Sequence, residues 1–223
     1  MRPVTFETED GLELEGEVRL PDGPPIGSAV ICHPHPQYGG SKDHPLLWAI
    51  RIELAARGFV VLSFNFRGVM GSEGAFGGGL DEVKDVRSAV GRARQETNGP
   101  TFVCGWSFGA HVALRTALDD DRIAALALVA LPLHESSAEL PPLPSLPDRE
   151  RLQRLDRPVL LVAGDSDPFC PVPDLLVMAG RLPRSTVEIV AGADHYLGKR
   201  EREAARIVAG FAQQVLPGNL AAQ

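Results

Sequence analysis

The stretch VCGWSFGAHVAL (103–114) sets Ser107 between Gly105 and Gly109, where an apolar run gives way to a helical pattern. A serine hydroxyl is a poor nucleophile and needs a neighbouring base. A sharp strand-to-helix turn lifts its Oγ clear of a sheet edge, and the tight backbone leaves no room for side chains two residues before and after it. The helix that follows also aims main-chain N–H groups at a developing anion, with that of Phe108 first among them. The plain alternative is a turn serine between two turn glycines. The strand–turn–helix context favours a nucleophile.

A serine nucleophile demands a base and an orienting acid. His195, in VAGADHYLG, follows the last apolar strand pattern. The preceding one ends in LVAGDSDPFCP, which offers two carboxylates, Asp165 and Asp167. With either acid the chain order is Ser, Asp, His, the order associated with nucleophile-elbow hydrolases. Other histidines have plainer readings. His44 starts a helix, His134 falls on a flap, and His111 is a hydrogen-bonded packing residue. His33 and His35 stand two apart on an extended segment, but no third ligand cluster accompanies them and a catalytic zinc wants three protein ligands. No metal is expected. NFRGVMGSEGAFGGG (65–79) is glycine-rich but matches neither G-x-G-x-x-G nor G-K-[ST], which argues against nucleotide binding.

The elements that must carry these residues can be read from periodicity. VTFET and LELEGEVRL alternate charged and apolar residues around Asp10-Gly11, an antiparallel hairpin. Runs at 27–33, 59–66, 101–105, 123–131, 158–164 and 186–192 are short, apolar and β-rich. Several lack polar alternation, as strands buried on both faces do. Helical patterns occupy 44–58, 80–96, 107–118, 173–182 and 200–216. The fold class is therefore α/β: a mostly parallel sheet with helices on both faces and an N-terminal antiparallel hairpin. Ligands in such sheets bind beyond the carboxyl ends of the strands, where Ser107, Asp167 and His195 all fall. The proline-rich segment 132–157, with one short helix near 147–155, reads as a flap on a single domain spanning 1–223.

Bulk properties narrow the function classes. The chain has 223 residues, 44% of them hydrophobic, and a net charge of −7. That charge opposes nucleic-acid binding, which needs clustered Lys and Arg. The longest apolar run, IAALALVALPL (123–133), is too short to span a bilayer. MRPVTFETEDGLELEG has no apolar signal-peptide core, and three cysteines without CxxC spacing suit a reducing compartment. A cytoplasmic location is expected, with no membrane and no nucleic-acid partner.

Taken together, AVICHPHPQYGGS, FNFRGVMGSEG, GWSFG, GDSDPFCP and GADHYL resemble, in order, the motifs of the α/β-hydrolase superfamily. The likeness is to small, cap-less bacterial hydrolases related to dienelactone hydrolase and short-chain carboxylesterases. The segments span residues 29 to 197. Dienelactone hydrolase uses a cysteine nucleophile, so Ser107 is a departure that favours ordinary ester hydrolysis. The family's G-x-x-D pattern, counted from Gly164, selects Asp167 and leaves Asp165 as a turn residue. Some relatives carry the acid at a position matching Glu135. HPHPQYGG resembles the family's oxyanion loop, with Pro34 where glycine is usual. Proline has no N–H to donate, and His35 falls at the position that donates in the family. Arg67 resembles the anchoring arginine of an R-G-x-G-x-S turn whose spacing Met70 and Gly71 shift. Cys32 and Cys104 end strands that are neighbours in the family's sheet, and buried thiols are expected. Tyr38, Trp106, Phe108 and Phe169 could line an apolar acyl pocket. The resemblance implies a serine hydrolase of small soluble esters that needs no cofactor. The rival readings are a thioesterase or small peptidase with the same triad, and a silent ligand-binding protein on this fold.

Overall fold

The computed structural model describes residues 1–133 and 143–217. Strands β1 (Arg2–Glu7) and β2 (Glu13–Arg19) form the expected hairpin, closed by Gly11 at φ +81°. Strands β3 (Gly27–Cys32), β4 (Phe59–Phe64), β5 (Thr101–Trp106), β6 (Ile123–Val129), β7 (Val159–Gly164) and β8 (Ser185–Val190) follow. The sheet order is β1-β2-β4-β3-β5-β6-β7-β8, and β3 to β8 are mutually parallel. The hairpin joins this parallel sheet through antiparallel pairing of β2 with β4.

Helices α1 (Pro45–Ala56), α2 (Glu82–Arg94), α3 (Phe108–Ala117), α4 (Arg149–Gln153), α5 (Val172–Ala179) and α6 (Glu201–Val215) alternate with the strands. Period-two alternation decides what each face buries. Ala29, Ile31, Phe59, Val61, Phe102, Cys104 and Trp106 point towards α1 and α6. Val30, Cys32, Val60, Leu62 and Val103 point towards α2 and α3. The central strands are buried on both faces, at about 1.5–3 kcal/mol per large apolar side chain. The same alternation puts Cys32 and Cys104 on opposite faces of neighbouring strands, as free buried thiols.

The elements match the sequence expectation in type and order, with ends shifted by one to three residues, the most at the end of α5, which stops at Ala179. A 3₁₀ turn at Pro36–Tyr38 is additional. No separate cap is evident among the described residues. His134, Glu135 and Leu140 of the flap lie outside them. No helix among the described residues is long and apolar enough to cross a membrane.

Candidate active site

Ser107 sits between β5 and α3 at φ 55° and ψ −117°, a conformation that costs an L-residue roughly 1–3 kcal/mol. The flanking glycines make the turn possible. A Cβ on Gly105 would lie 2.2 Å from the Gly109 carbonyl oxygen, and one on Gly109 would lie 2.3 Å from that of Cys32. The elbow thus folds onto itself and onto the end of β3. The Ser107 N–H donates to the Val129 carbonyl (2.8 Å), tying the turn to β6. At the first position of α3, the N–H of Phe108 has no acceptor within its own helix.

The loops after β7 and β8 bring the other two residues to Ser107. His195 Nε2 lies 2.9 Å from Ser107 Oγ, and Nδ1 lies 3.0 and 2.9 Å from Oδ1 and Oδ2 of Asp167. The carboxylate fixes the tautomer: Nδ1–H donates to it, and Nε2 is left to accept from the serine hydroxyl. Asp167 Oδ1 also accepts from the N–H groups of Phe169 (2.9 Å) and Cys170 (3.1 Å). All three residues are buried, so water competes poorly for these bonds.

Asp165 has a different task. It is exposed, and both its oxygens accept from the Gly192 N–H at 3.0 Å. That bond is the first cause holding its carboxyl below the usual range. It latches the β7 loop to the turn before His195. Gly164 closes the same junction, since a Cβ there would lie 2.2 Å from the Ala193 carbonyl oxygen. Both contacts link segments distant in sequence, and the sequence marks neither.

The segment after β3 carries the second set of donors. The Phe66 N–H donates to His33 Nε2 (3.0 Å), so the proton is on Nδ1, which donates to the Pro34 carbonyl (2.6 Å). Burial pushes the His33 imidazole down to about 4, which keeps it neutral. The Pro34 carbonyl and the His35 N–H belong to one trans peptide and point in opposite directions. Holding one therefore orients the other. His33 spends both ring nitrogens in this way, which leaves none for a metal, contrary to the paired-ligand alternative. The His35 ring has its own surroundings: Nδ1 accepts from the Gln37 N–H (3.2 Å), and the rings of Tyr38, Phe76 and Phe108 lie 4.8, 4.8 and 5.2 Å away.

The expected aromatic lining divides. Tyr38 is exposed beside His35, and the half-buried Phe169 ring stands edge-on to His195 at 4.8 Å. The Phe108 side chain is buried among Phe66, Phe76 and His35. Trp106 is a correction. Its ring is 1% exposed and turns to the α1 and α6 face, as its place two residues after Cys104 requires. It packs on His44, whose side chain caps α1, and its Nε1–H donates to the His195 carbonyl (3.1 Å). The described residues close its ring off from any open pocket. Phe76, which the motif reading passed over, approaches both His35 and Phe108 instead.

Charged and polar anchors frame these loops. The Arg67 fork donates to Asp85 (2.9 and 2.6 Å) and to Asp10 (3.0 and 3.1 Å), pinning the loop after β4 to α2 and to the hairpin turn. Glu82 accepts from the N–H groups of Gly77 (2.7 Å) and Gly79 (2.8 Å), holding the stretch beside Phe76. His111 is buried on α3, and its Nε2 lies 2.8 Å from the Pro144 carbonyl. Arg115, one turn on, donates to the Ser145 carbonyl. The returning limb of the flap is thus docked on α3, with Leu143 and Leu146 packed against the core.

A search among known proteins gives concordant matches. An uncharacterized protein of Rickettsia prowazekii is 26% identical over 218 residues, covering 93% of this chain and 87% of the relative. The structure of an alpha-beta serine hydrolase homologue from Coxiella burnetii superposes with a TM-score of 0.80 at 25% identity, covering 94% of this chain and 97% of that one. That of an Agrobacterium tumefaciens protein of unknown function superposes at 0.82 and 25% identity, covering 99% of each chain. The family model described as an alpha/beta hydrolase domain matches residues 29–215, from β3 to the last turn of α6. Over that whole span, which holds Ser107, Asp167 and His195, the chain belongs to the alpha/beta hydrolase family.

Proposed function

We propose that this hydrolase is a serine esterase that cleaves small carboxylic esters through an acyl-enzyme intermediate. Ser107 Oγ attacks the carbonyl carbon while His195 Nε2 takes the hydroxyl proton. Asp167 holds Nδ1–H and stabilises the imidazolium that forms. The N–H groups of Phe108 and His35 bind the oxyanion. The imidazolium then protonates the departing alcohol. Water, deprotonated by the same nitrogen, attacks the acyl group and frees Ser107. No step calls for a cofactor. The observation that most supports this reading is the buried chain of contacts from Asp167 through His195 to Ser107, at 2.9–3.0 Å throughout.

Two features favour short acyl groups. The described part of the flap holds only the five-residue helix α4. Leu143 and Leu146 are half-buried against the core, which leaves only part of each for a lipid-binding surface. Each methylene that stays in water forgoes about 0.8 kcal/mol, so kcat/KM should peak at acyl chains of about two to six carbons.

A fluorophosphonate probe and a p-nitrophenyl ester series from acetate to palmitate test both points. Wild type should label and turn over. Ser107→Ala should do neither, with a loss of about 10⁶ in kcat as seen for a comparable serine enzyme. Near-wild-type hydrolysis by Ser107→Ala would sink the mechanism. Activity peaking at palmitate would overturn the substrate size.

A further inference from the structure

We infer that Trp106 is a positioning residue, whose indole N–H fixes the main chain that carries the general base. This rests on the proposed roles of Ser107, Asp167 and His195. Trp106 ends β5 and immediately precedes Ser107. Its Nε1–H donates to the carbonyl of His195, 89 residues further along the chain, at 3.1 Å. The bond therefore braces the neighbour of the nucleophile directly against the residue that holds the base.

Three observations give the brace its force. First, among the described residues no other hydrogen bond is made by the main chain of His195. Its ring is held at Asp167 and Ser107, but its backbone is held only at this carbonyl. Second, the ring bonds change during turnover, because Nε2 accepts and returns a proton. An indole N–H does not titrate, so this anchor is the same at every step. Third, the indole is 1% exposed and wedged beside the rings of His44 (4.3 Å) and Tyr196 (6.2 Å). Water cannot replace it, and losing the donor leaves a buried carbonyl unpaired. The peptide after His195 then keeps only the exposed bond from the Tyr196 N–H to Asp194 Oδ1 (3.0 Å), for which water competes, and the imidazole can drift off line. Misplacement of a reacting group by about 1 Å can cost on the order of 10²-fold.

The test removes the donor while keeping the ring. Trp106→Phe is the simple variant, and its smaller ring could unfold the core. The decisive variant carries benzothienylalanine at position 106, in which sulfur replaces the indole N–H at nearly constant shape. It is made in a Trp48→Phe background, since Trp48 is the chain's other tryptophan and lies on the outer side of α1 over Arg51. The parent for comparison is Trp48→Phe with tryptophan at 106. The readouts are kcat and KM for p-nitrophenyl acetate and the second-order rate of fluorophosphonate labelling. We expect kcat and the labelling rate to fall by about 10- to 100-fold, with KM within about twofold of the parent because the ring lies outside the cleft. An isosteric variant with parental kcat and labelling overturns the inference alone. So does a raised KM with unchanged kcat, which would return Trp106 to the substrate site. If the wild type itself neither labels nor turns over, the esterase reading fails and the brace falls with it.

Discussion

Replacing Asp167 by asparagine probes the site through one atom. Asp167 has no donor of its own and three N–H groups aimed at it: Phe169 and Cys170 at 2.9 and 3.1 Å from Oδ1, and His195 Nδ1 at 3.0 Å or less from both oxygens. Asparagine has one acceptor oxygen and one NH₂. If the oxygen keeps the two main-chain donors, the NH₂ faces Nδ1 and drives the imidazole proton onto Nε2. There it blocks acceptance of the serine proton. If the amide flips, its NH₂ meets two N–H groups at a position only 4% exposed, at about 1–3 kcal/mol for each buried group left unpaired. The first arrangement is lower in energy, so the variant folds with the wrong tautomer. That change costs about 10⁴ in kcat in a comparable triad, or about 5.4 kcal/mol of barrier at 1.36 kcal/mol per tenfold. Asp165→Asn is the control. Its amide oxygen can still accept from Gly192, and kcat should stay within about threefold. Saturating p-nitrophenyl acetate gives kcat, and a melting curve checks that both variants fold. Asp167→Asn within tenfold of wild type, or Asp165→Asn as the crippled variant, refutes the argument.

Gly109→Ala should lower stability by roughly 2 kcal/mol or more, because its Cβ would lie 2.3 Å from the Cys32 carbonyl oxygen. Gly210→Ala, in α6 with nothing within 4 Å, should raise it by about 0.5–1 kcal/mol. Equal effects of the two on chemical denaturation would mean that the elbow is not sterically tight. Burial pushes both His33 and His111 down to about 4. Their neutral forms therefore stabilise the fold fully above the free-histidine range near 6.5, and that stability is lost as pH falls from about 6.5 towards 4. Tm should drop across that window, and by less in His111→Gln, which keeps a donor for Pro144 but cannot take up a proton. An unchanged acid drop in that variant would remove His111 from the account.

The sequence made the site's chemistry more legible than its scaffolding. Ser107 and His195 stood out because a glycine-flanked serine after an apolar strand, and a histidine after the last strand, are local patterns. Asp167 needed the family's G-x-x-D spacing to separate it from Asp165, since two carboxylates in one loop look alike without their partners. The strands were readable because burial on both faces leaves unbroken apolar runs. Trp106 was misplaced although a signal existed: it follows Phe102 and Cys104 at period two and had to share their face. The loop motif marks His33 but not its bond to Phe66, which arrives from beyond the next strand, and nothing local marks Gly164, whose lack of a side chain matters only against Ala193. These are non-local contacts, and only the folded backbone specifies them.

The docking of the flap on α3 bears on how such a chain can grow. At one end Leu133 donates its N–H to the Phe169 carbonyl (2.8 Å), and at the other His111 and Arg115 grip Pro144 and Ser145. Neither anchor uses the side chain of Ser107, Asp167 or His195. An insertion between Leu133 and Leu143 therefore meets two posts already fixed to the body of the protein. Its entropic toll is only that of closing a longer loop, about 0.6 kcal/mol for each doubling of length. Length variation among descendants of this chain should gather at that point, and an accessory domain could be spliced there without retuning the elbow beneath it.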